Sequence, residues 1–191
     1  VMNSKKLTDD LRLLNCSRPC TGSASILLAS EEIVKKYTNS PIWITGIGQK
    51  TTSAGFTKNT SLSSMESTKL AGKSALEMAN HNISEIDVAE VHDAFSVCEP
   101  MVLESLGFTN PGEGMDMIKK LNETNNFMIN PRGGLIGSGH PLGATGISQT
   151  IEIAQQLQKT AENRQTNNPK TGLVHNMSAA ATSSTVLVLE K

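Results

Sequence analysis

The sequence predicts an α/β layered domain, a mixed sheet covered by helices, and three observations carry that prediction. Strand-length apolar runs alternate with helix-length amphipathic runs along the chain. The 191 residues suit one domain, able to bury roughly 70% of its unfolded surface. Aromatic residues make up 3%, so the core has to be built from Leu, Ile, Val, Ala and Met.

The elements follow in order. Residues 23–30 (SASILLAS) form an apolar run of strand length. Ser30-Glu31-Glu32 then reads as an N-cap and first helical turn, because Ser accepts backbone N–H bonds and acids suit the positive helix end. That helix has to end before Pro41. Residues 42–47 (IWITGI), β-branched and aromatic, predict a strand, and the polar residues 49–63 a surface loop. Within 65–79, Leu70, Ala71, Ala75, Met78 and Ala79 fall at helical steps. Ser84 opens a turn, 88–91 predict a short buried strand, and 94–106 a helix stopped by Gly107. A short helix is expected around 115–121, a glycine-rich loop over 133–146, and an amphipathic helix over 147–157. The polar residues 158–170 are expected at the surface. Residues 173–177 and 185–189 predict two strands, close enough in sequence to form an antiparallel pair at the sheet edge.

Composition narrows the function. With 17 Lys+Arg against 18 Asp+Glu, the net charge is −1, without the basic excess of a nucleic-acid binder. No apolar run approaches the ~20 residues of a membrane span. The start, Val1-Met2-Asn3-Ser4-Lys5-Lys6, lacks the apolar core of a secretory signal. Three cysteines cannot all pair, so a reducing, cytoplasmic setting is the default. Because the first residue is Val, a fragment or one half of something larger is open.

Three blocks stand out. Residues 130–146, NPRGGLIGSGHPLGATG, set His140 between Gly139 and Pro141 just before a helix start. Glycines let the backbone approach a ligand closely, and a helix N-terminus favours negative charge. The block lacks the Gly-Lys-Ser/Thr of a Walker loop and the strand-fed spacing of a dinucleotide fingerprint. An ordinary turn with a chance His is the competing explanation. Val91-His92-Asp93-Ala94-Phe95 lies at a strand-to-helix junction, where α/β proteins place active-site residues, although Asp93 also suits a plain helix cap. Val174-His175-Asn176-Met177-Ser178 leads into a run of alanines between the last two strands. A tight hairpin with an ordinary partly buried His175 explains it equally. Cys16 and Cys20 lack a second ligand pair, which argues against zinc, and Cys98 reads as a small buried hydrophobe.

Together and in this order the blocks resemble the C-terminal half of a thiolase, above all the archaeal and sterol-carrier-protein types. Cys20-Thr21-Gly22-Ser23-Ala24-Ser25 stands where the family has Asn/Ser-Asp-Gly-Ala-Ala-Ala. His92-Asp93-Ala94-Phe95 resembles its HDAF or HDCF block. Gly133-Gly134 with Gly139-His140-Pro141-Leu142-Gly143-Ala144-Thr145-Gly146 matches GG…GHPxGATG, and the HNM turn takes the place of CxGGG or HNxGG. The resemblance implies a thiolase C-terminal domain over 1–191, half of a two-domain fold, with a mixed five-stranded sheet and helices on both faces. It implies an acyl-CoA C-acyltransferase that uses coenzyme A thioesters as substrates, with no cofactor and no metal. In such a site His140 activates a nucleophilic Cys, a thiol being mostly protonated at neutral pH. His140 and His92 are then the donors to the enolate or thioester oxygen. Asn176, the backbone near Ser178, and Gly139 complete the catalytic set, while Ser17 and Gly134 lie on the coenzyme A side.

The departures shape the expectation. The nucleophilic Cys belongs to the family's N-terminal half, and the second catalytic Cys of CxGGG is Asn176 here. Ser178 and Ala179 replace glycines, and Ala94 the Cys of HDCF. The chain is therefore expected to be inactive alone. It would complete a site with a thiolase N-terminal half or full thiolase-like chain as an oligomer. Alternatively it is a non-catalytic subunit that binds acyl-CoA or scaffolds a complex, or a carbon–carbon lyase acting on CoA esters. His92, His140 and Asn176 are expected to meet in one pocket, and the chain to expose an apolar surface.

Overall fold

Alternate residues of the last strand, β5 (Ser183–Glu190), turn to opposite sides of one sheet. Val186 and Val188 enter one apolar cluster, while Leu187 and Leu189 pack against another. The computed structural model describes residues 1–54, 62–124 and 128–191. In it β5 lies between β1 (Trp43–Thr51) and β4 (Thr171–Met177), antiparallel to both. β4 runs parallel to β2 (Val88–Glu90), and β2 parallel to the two-residue β3 (Met128–Ile129). The order is β1-β5-β4-β2-β3: a mixed sheet of four longer strands and one minimal edge strand.

Helices cover both faces. On one side lie α2 (Glu66–Ala79) and α3 (Cys98–Leu106), through Ala71, Ala75, Val102 and Leu106. Gly46 and Gly48 of β1 let α2 sit down on the sheet, because a Cβ at either would run into the carbonyls of Ala75 and Ala71. On the other side α6 (Thr145–Gln158) packs Ile153 and Leu157 against Val88, Val174 and Leu189. The remaining helices are short or peripheral: α1 (Glu31–Val34), α4 (Gly114–Thr124) and α5 (Gly134–Ser138).

The strands are not the five expected. Residues 23–30 form no strand, with Leu27 88% and Leu28 70% exposed. A strand needs ladder partners as well as apolar residues, and among the described residues none pairs with 23–29. The fifth strand is β3, too short for a sequence signal. β4 and β5 do pair antiparallel, but in the sheet interior, because β1 covers β5 and β2 covers β4. Ser30 stands at the N-cap of α1 without making a side-chain cap bond. α3 begins at Cys98 rather than residue 94, because the N-terminal arm takes the backbone there. Ser17 N–H donates to the Ala94 carbonyl and Ser96 N–H to the Asn15 carbonyl, each at 2.8 Å. The glycine-rich loop contains α5. In the expected loop 49–63, residues 49–51 belong to β1, and 55–61 lie outside the described residues.

Candidate active site

β2 and β4 run parallel, so their C-terminal ends meet at one edge, and each delivers one residue to the same place. His92 lies just beyond β2, and Asn176 is the second-to-last residue of β4. Asn176 Nδ2 donates to Gln149 Oε1 at 2.9 Å and faces His92 Nδ1 at 3.1 Å. An amide nitrogen has two protons and no acceptor capacity, so His92 Nδ1 accepts. Burial, and then the neighbouring His140, push the His92 pKa down to about 4, so the ring is neutral at pH 7. Its one proton is therefore on Nε2, and His92 presents a donor.

His140 is set by a different device. Asp93 caps α5, accepting from Leu135 N–H at 2.6 Å and Ile136 N–H at 3.4 Å. Gly134, at φ 61°, allows this, since a Cβ there would collide with the Asp93 carboxylate. Thus Asp93 is a cap, but for a helix 41 residues downstream of it rather than for its own. From the other side the arm holds the loop, His140 N–H donating to the Arg18 carbonyl at 2.8 Å. His140 Nδ1 lies 2.7 Å from Thr145 Oγ1, and Thr145 Oγ1 donates to the Pro141 carbonyl at 3.1 Å. Thr145 has a single proton, so both contacts are satisfied together only when His140 Nδ1–H donates to Thr145. Burial lowers the His140 pKa, with Asp93 opposing. A neutral His140 in this tautomer offers a lone pair on Nε2. The two rings stand edge to face, centroids 5.0 Å apart at 86°. One is held as a donor and its neighbour as a base.

The third block forms a wall. A 390 Å³ cavity is lined by His92, Phe95, Met65, Met101 and Met177, and closed by residues 178–181. In this turn Ala180 (φ 55°) and Ala181 (φ 50°) are both left-handed, a conformation that costs a residue with a Cβ. Ser178 N–H is taken by the Ser183 carbonyl at 2.9 Å. The N–H groups of Ala179 and Ala180 have no partner among the described residues, and both residues line the cavity.

The structure thus sets His140 and Asn176 against His92, and His92 lines the cavity with the turn after Ser178, although neither His140 nor Asn176 is part of that lining. Gly139, at φ 88°, directs its N–H to the Leu135 carbonyl, and a Cβ there would lie 2.8 Å from Cys20 Sγ. Gly134 is buried against Asp93. Ser17 sits on the arm beside Ala94. Sequence reasoning missed Gln149, which turns Asn176, and Thr145, which sets the His140 proton. Thr145 lay inside the GHPLGATG block, whereas Gln149 left no signal beyond its place on an amphipathic helix. Among the described residues no cluster of His, Cys, Asp or Glu could hold a metal ion, and no helix is long and apolar enough to cross a membrane.

Residues 48–191 match the thiolase C-terminal domain-like family. The chain belongs to the thiolase family. Over its whole length it is 33% identical to half of an acetyl-CoA acetyltransferase of Methanothermobacter thermautotrophicus. It is 36% identical to an acetyl-CoA acetyltransferase of Methanocaldococcus jannaschii over 85% of the chain and 43% of that protein. Sterol carrier protein 2 of Gallus gallus is 34% identical over 93% of the chain and 34% of that protein. This thiolase-family chain therefore spans half or less of the length of these curated relatives. Among solved structures, an Ltp2-ChsH2(DUF35) aldolase superposes with a TM-score of 0.82 at 21% identity, covering 99% of this chain and 50% of that one.

Proposed function

We propose that the chain is the acid–base half of a thiolase-type acyl-CoA acyltransferase, its nucleophilic thiol supplied by a complementary thiolase N-terminal half. The observation that carries this reading is the pairing of opposite tautomers, His92 with Nε2–H and His140 with a free Nε2. The Nε2 lone pair of His140 takes the proton of the incoming thiol. The thiolate attacks the thioester carbon, and the developing oxyanion is held by the Nε2–H of His92. As the carbon–sulfur bond to coenzyme A breaks, the proton held on His140 passes to the departing thiolate. The open N–H groups of Ala179 and Ala180 add two further donors on the cavity wall. The relatives' names and their double length support this reading.

Mixing the chain with the N-terminal half of a thiolase-like chain from the same source tests it. Coenzyme A-dependent cleavage of acetoacetyl-CoA is expected from the mixture and not from either part. A stable complex without this activity overturns it.

A second reading, a CoA-ester carbon–carbon lyase, is favoured by one residue. Asn176 puts an amide, which neither gives nor takes a proton, where thiolases of the CxGGG type have a second acid–base thiol. A lyase needs only an enolate stabiliser and one base. Cleavage of a β-hydroxyacyl-CoA without added coenzyme A distinguishes the two.

A further inference from the structure

A second polar system runs through the core between α2, β4 and β5. His175, Ser67 and Thr68 are each 0% exposed, and Ser184 is 1% exposed. His175 Nε2 lies 3.1 Å from Thr68 Oγ1, which lies 2.9 Å from Ser184 Oγ. Ser184 Oγ lies 2.8 Å from Ser67 Oγ, and Ser67 Oγ donates to the Ala181 carbonyl at 2.6 Å. At the other end, His92 N–H points to His175 Nδ1 at 3.5 Å.

Proton counting orders this chain. Each hydroxyl owns one proton, and a carbonyl only accepts. Ser67 uses its proton on Ala181, so Ser184 donates to Ser67, Thr68 to Ser184, and His175 Nε2–H to Thr68. Burial, and then His92, push the His175 pKa down to about 3, so the ring carries only that one proton at neutral pH. Its Nδ1 is left as an acceptor for the His92 amide. A single carbonyl thus sets every proton, and every member is satisfied, the condition under which a buried polar network rigidifies its surroundings.

The ends of this chain are the two walls of the candidate site: His92, and the turn that carries Ala181. We propose that His175 is a positioning residue, and that the ordered chain from Ala181 through Ser67, Ser184, Thr68 and His175 holds His92 at a fixed distance from that turn. Donors to one oxyanion have to be placed to within about 0.5 Å, and here they come from different strands. The catalytic consequence rests on the proposed function; the proton order does not.

The test uses the chain labelled with ¹⁵N and long-range ¹H–¹⁵N spectra of its imidazoles. His175 is expected as the Nε2–H tautomer, without titrating between pH 8 and 5. Thr68→Val removes the hydroxyl at nearly constant shape. It should abolish the single tautomer of His175 and speed exchange of the His92 amide by ~10-fold or more, and Thr68→Ser should restore both. Ser184→Ala, broken at the next link, should act in the same direction. In an active reconstituted assembly Thr68→Val should lower kcat by ~10-fold with KM nearly unchanged, and Thr68→Ser should recover it. An Nδ1–H tautomer in the unaltered chain overturns the proposal. So does a Thr68→Val or Ser184→Ala variant that loses stability while the His92 signals stay in place. An assembly without thiolase activity leaves the spectroscopic arms decisive.

Discussion

Residues 1–45 and the rest of the chain are built on different terms. No residue of 1–45 is buried, whereas the buried apolar side chains run from Met65 onward. The arm is nonetheless apolar in places, with Ile26, Leu27, Leu28, Ile33 and Tyr37 all exposed. Over residues 1–39 its firm attachments are backbone hydrogen bonds at residues 15–18, which join the two site blocks at Ala94, Ser96 and His140, while residues 43–45 already belong to β1 and pair with β5. Up to residue 39 the arm is therefore fastened to the candidate site rather than to the sheet. The difference teaches that the candidate site lies at the boundary of this chain's own packing.

The sharpest way to break the comparison is to ask which side carries the chemistry. In a reconstituted assembly, His140→Ala should lower turnover by ~10³-fold or more while leaving the urea midpoint and partner binding unchanged. His140→Asn, which loses the base and puts an amide donor in its place, should retain slightly more, and His92→Ala should be damaging but less so. Near-normal turnover in His140→Ala, measured by coenzyme A release, would leave only a scaffolding role. A smaller effect tests the arm. Leu27→Asp with Leu28→Asp should change unfolding of the chain by less than about 0.5 kcal/mol, since both side chains face solvent. The same pair should weaken association by ~100-fold or more, because each buried leucine is worth about 1.5–3 kcal/mol. Sedimentation and urea titration separate these outcomes, and a large loss of stability would make the arm part of the core.

Acid should act on one side only, for all four histidines lie outside residues 1–45. His92 and His175 fall from 6.5 to about 4 and about 3 on folding, so both rings are neutral in the folded chain. Below pH 6.5 the unfolded chain binds protons that the folded chain refuses. The two rings therefore contribute no slope above that pH and lower stability as pH drops towards 4, by up to about 1.4 kcal/mol per pH unit per ring, against the opposite contribution of Glu90, whose carboxyl is pushed up to about 8 by burial. Imidazole ¹⁵N shifts followed between pH 7 and 4 isolate the two rings from the carboxyls, and a His92 or His175 ring that titrates near 6.5 in the folded chain refutes the neutral rings. The smallest expected effect is at the wall turn. Ala180→Gly removes a left-handed Cβ at φ 55° and should stabilise the chain by about 0.5–1 kcal/mol, read from urea titration.

Much of the domain was legible because periodicity and burial coincide there. The apolar positions of α2 and α6 recur at helical steps and face the sheet, and the alternation of β5 matches its two clusters. Residues 23–30 misled because local composition reports what a segment can form, while pairing depends on whether a partner edge is present. The blocks around His92 and His140 were visible as motifs, but their tautomers were not. These depend on Gln149 and Thr145, whose roles are set by a proton count in three dimensions. His175 was hidden for the same reason: its partner Thr68 lies on α2, with nothing in the sequence to join them.

The polar chain behind His92 also dictates an order of assembly. Its contacts join residues 83 to 117 positions apart, and among the described residues β1 has a single ladder partner in β5. Such loops have to close before any contact within them is rewarded. On a ribosome adding about 5–20 residues per second, Thr68 emerges roughly 5–20 s before His175. For that interval β1 has no ladder partner, and the glycine face of β1 that receives α2 belongs to a sheet whose other strands are not yet made.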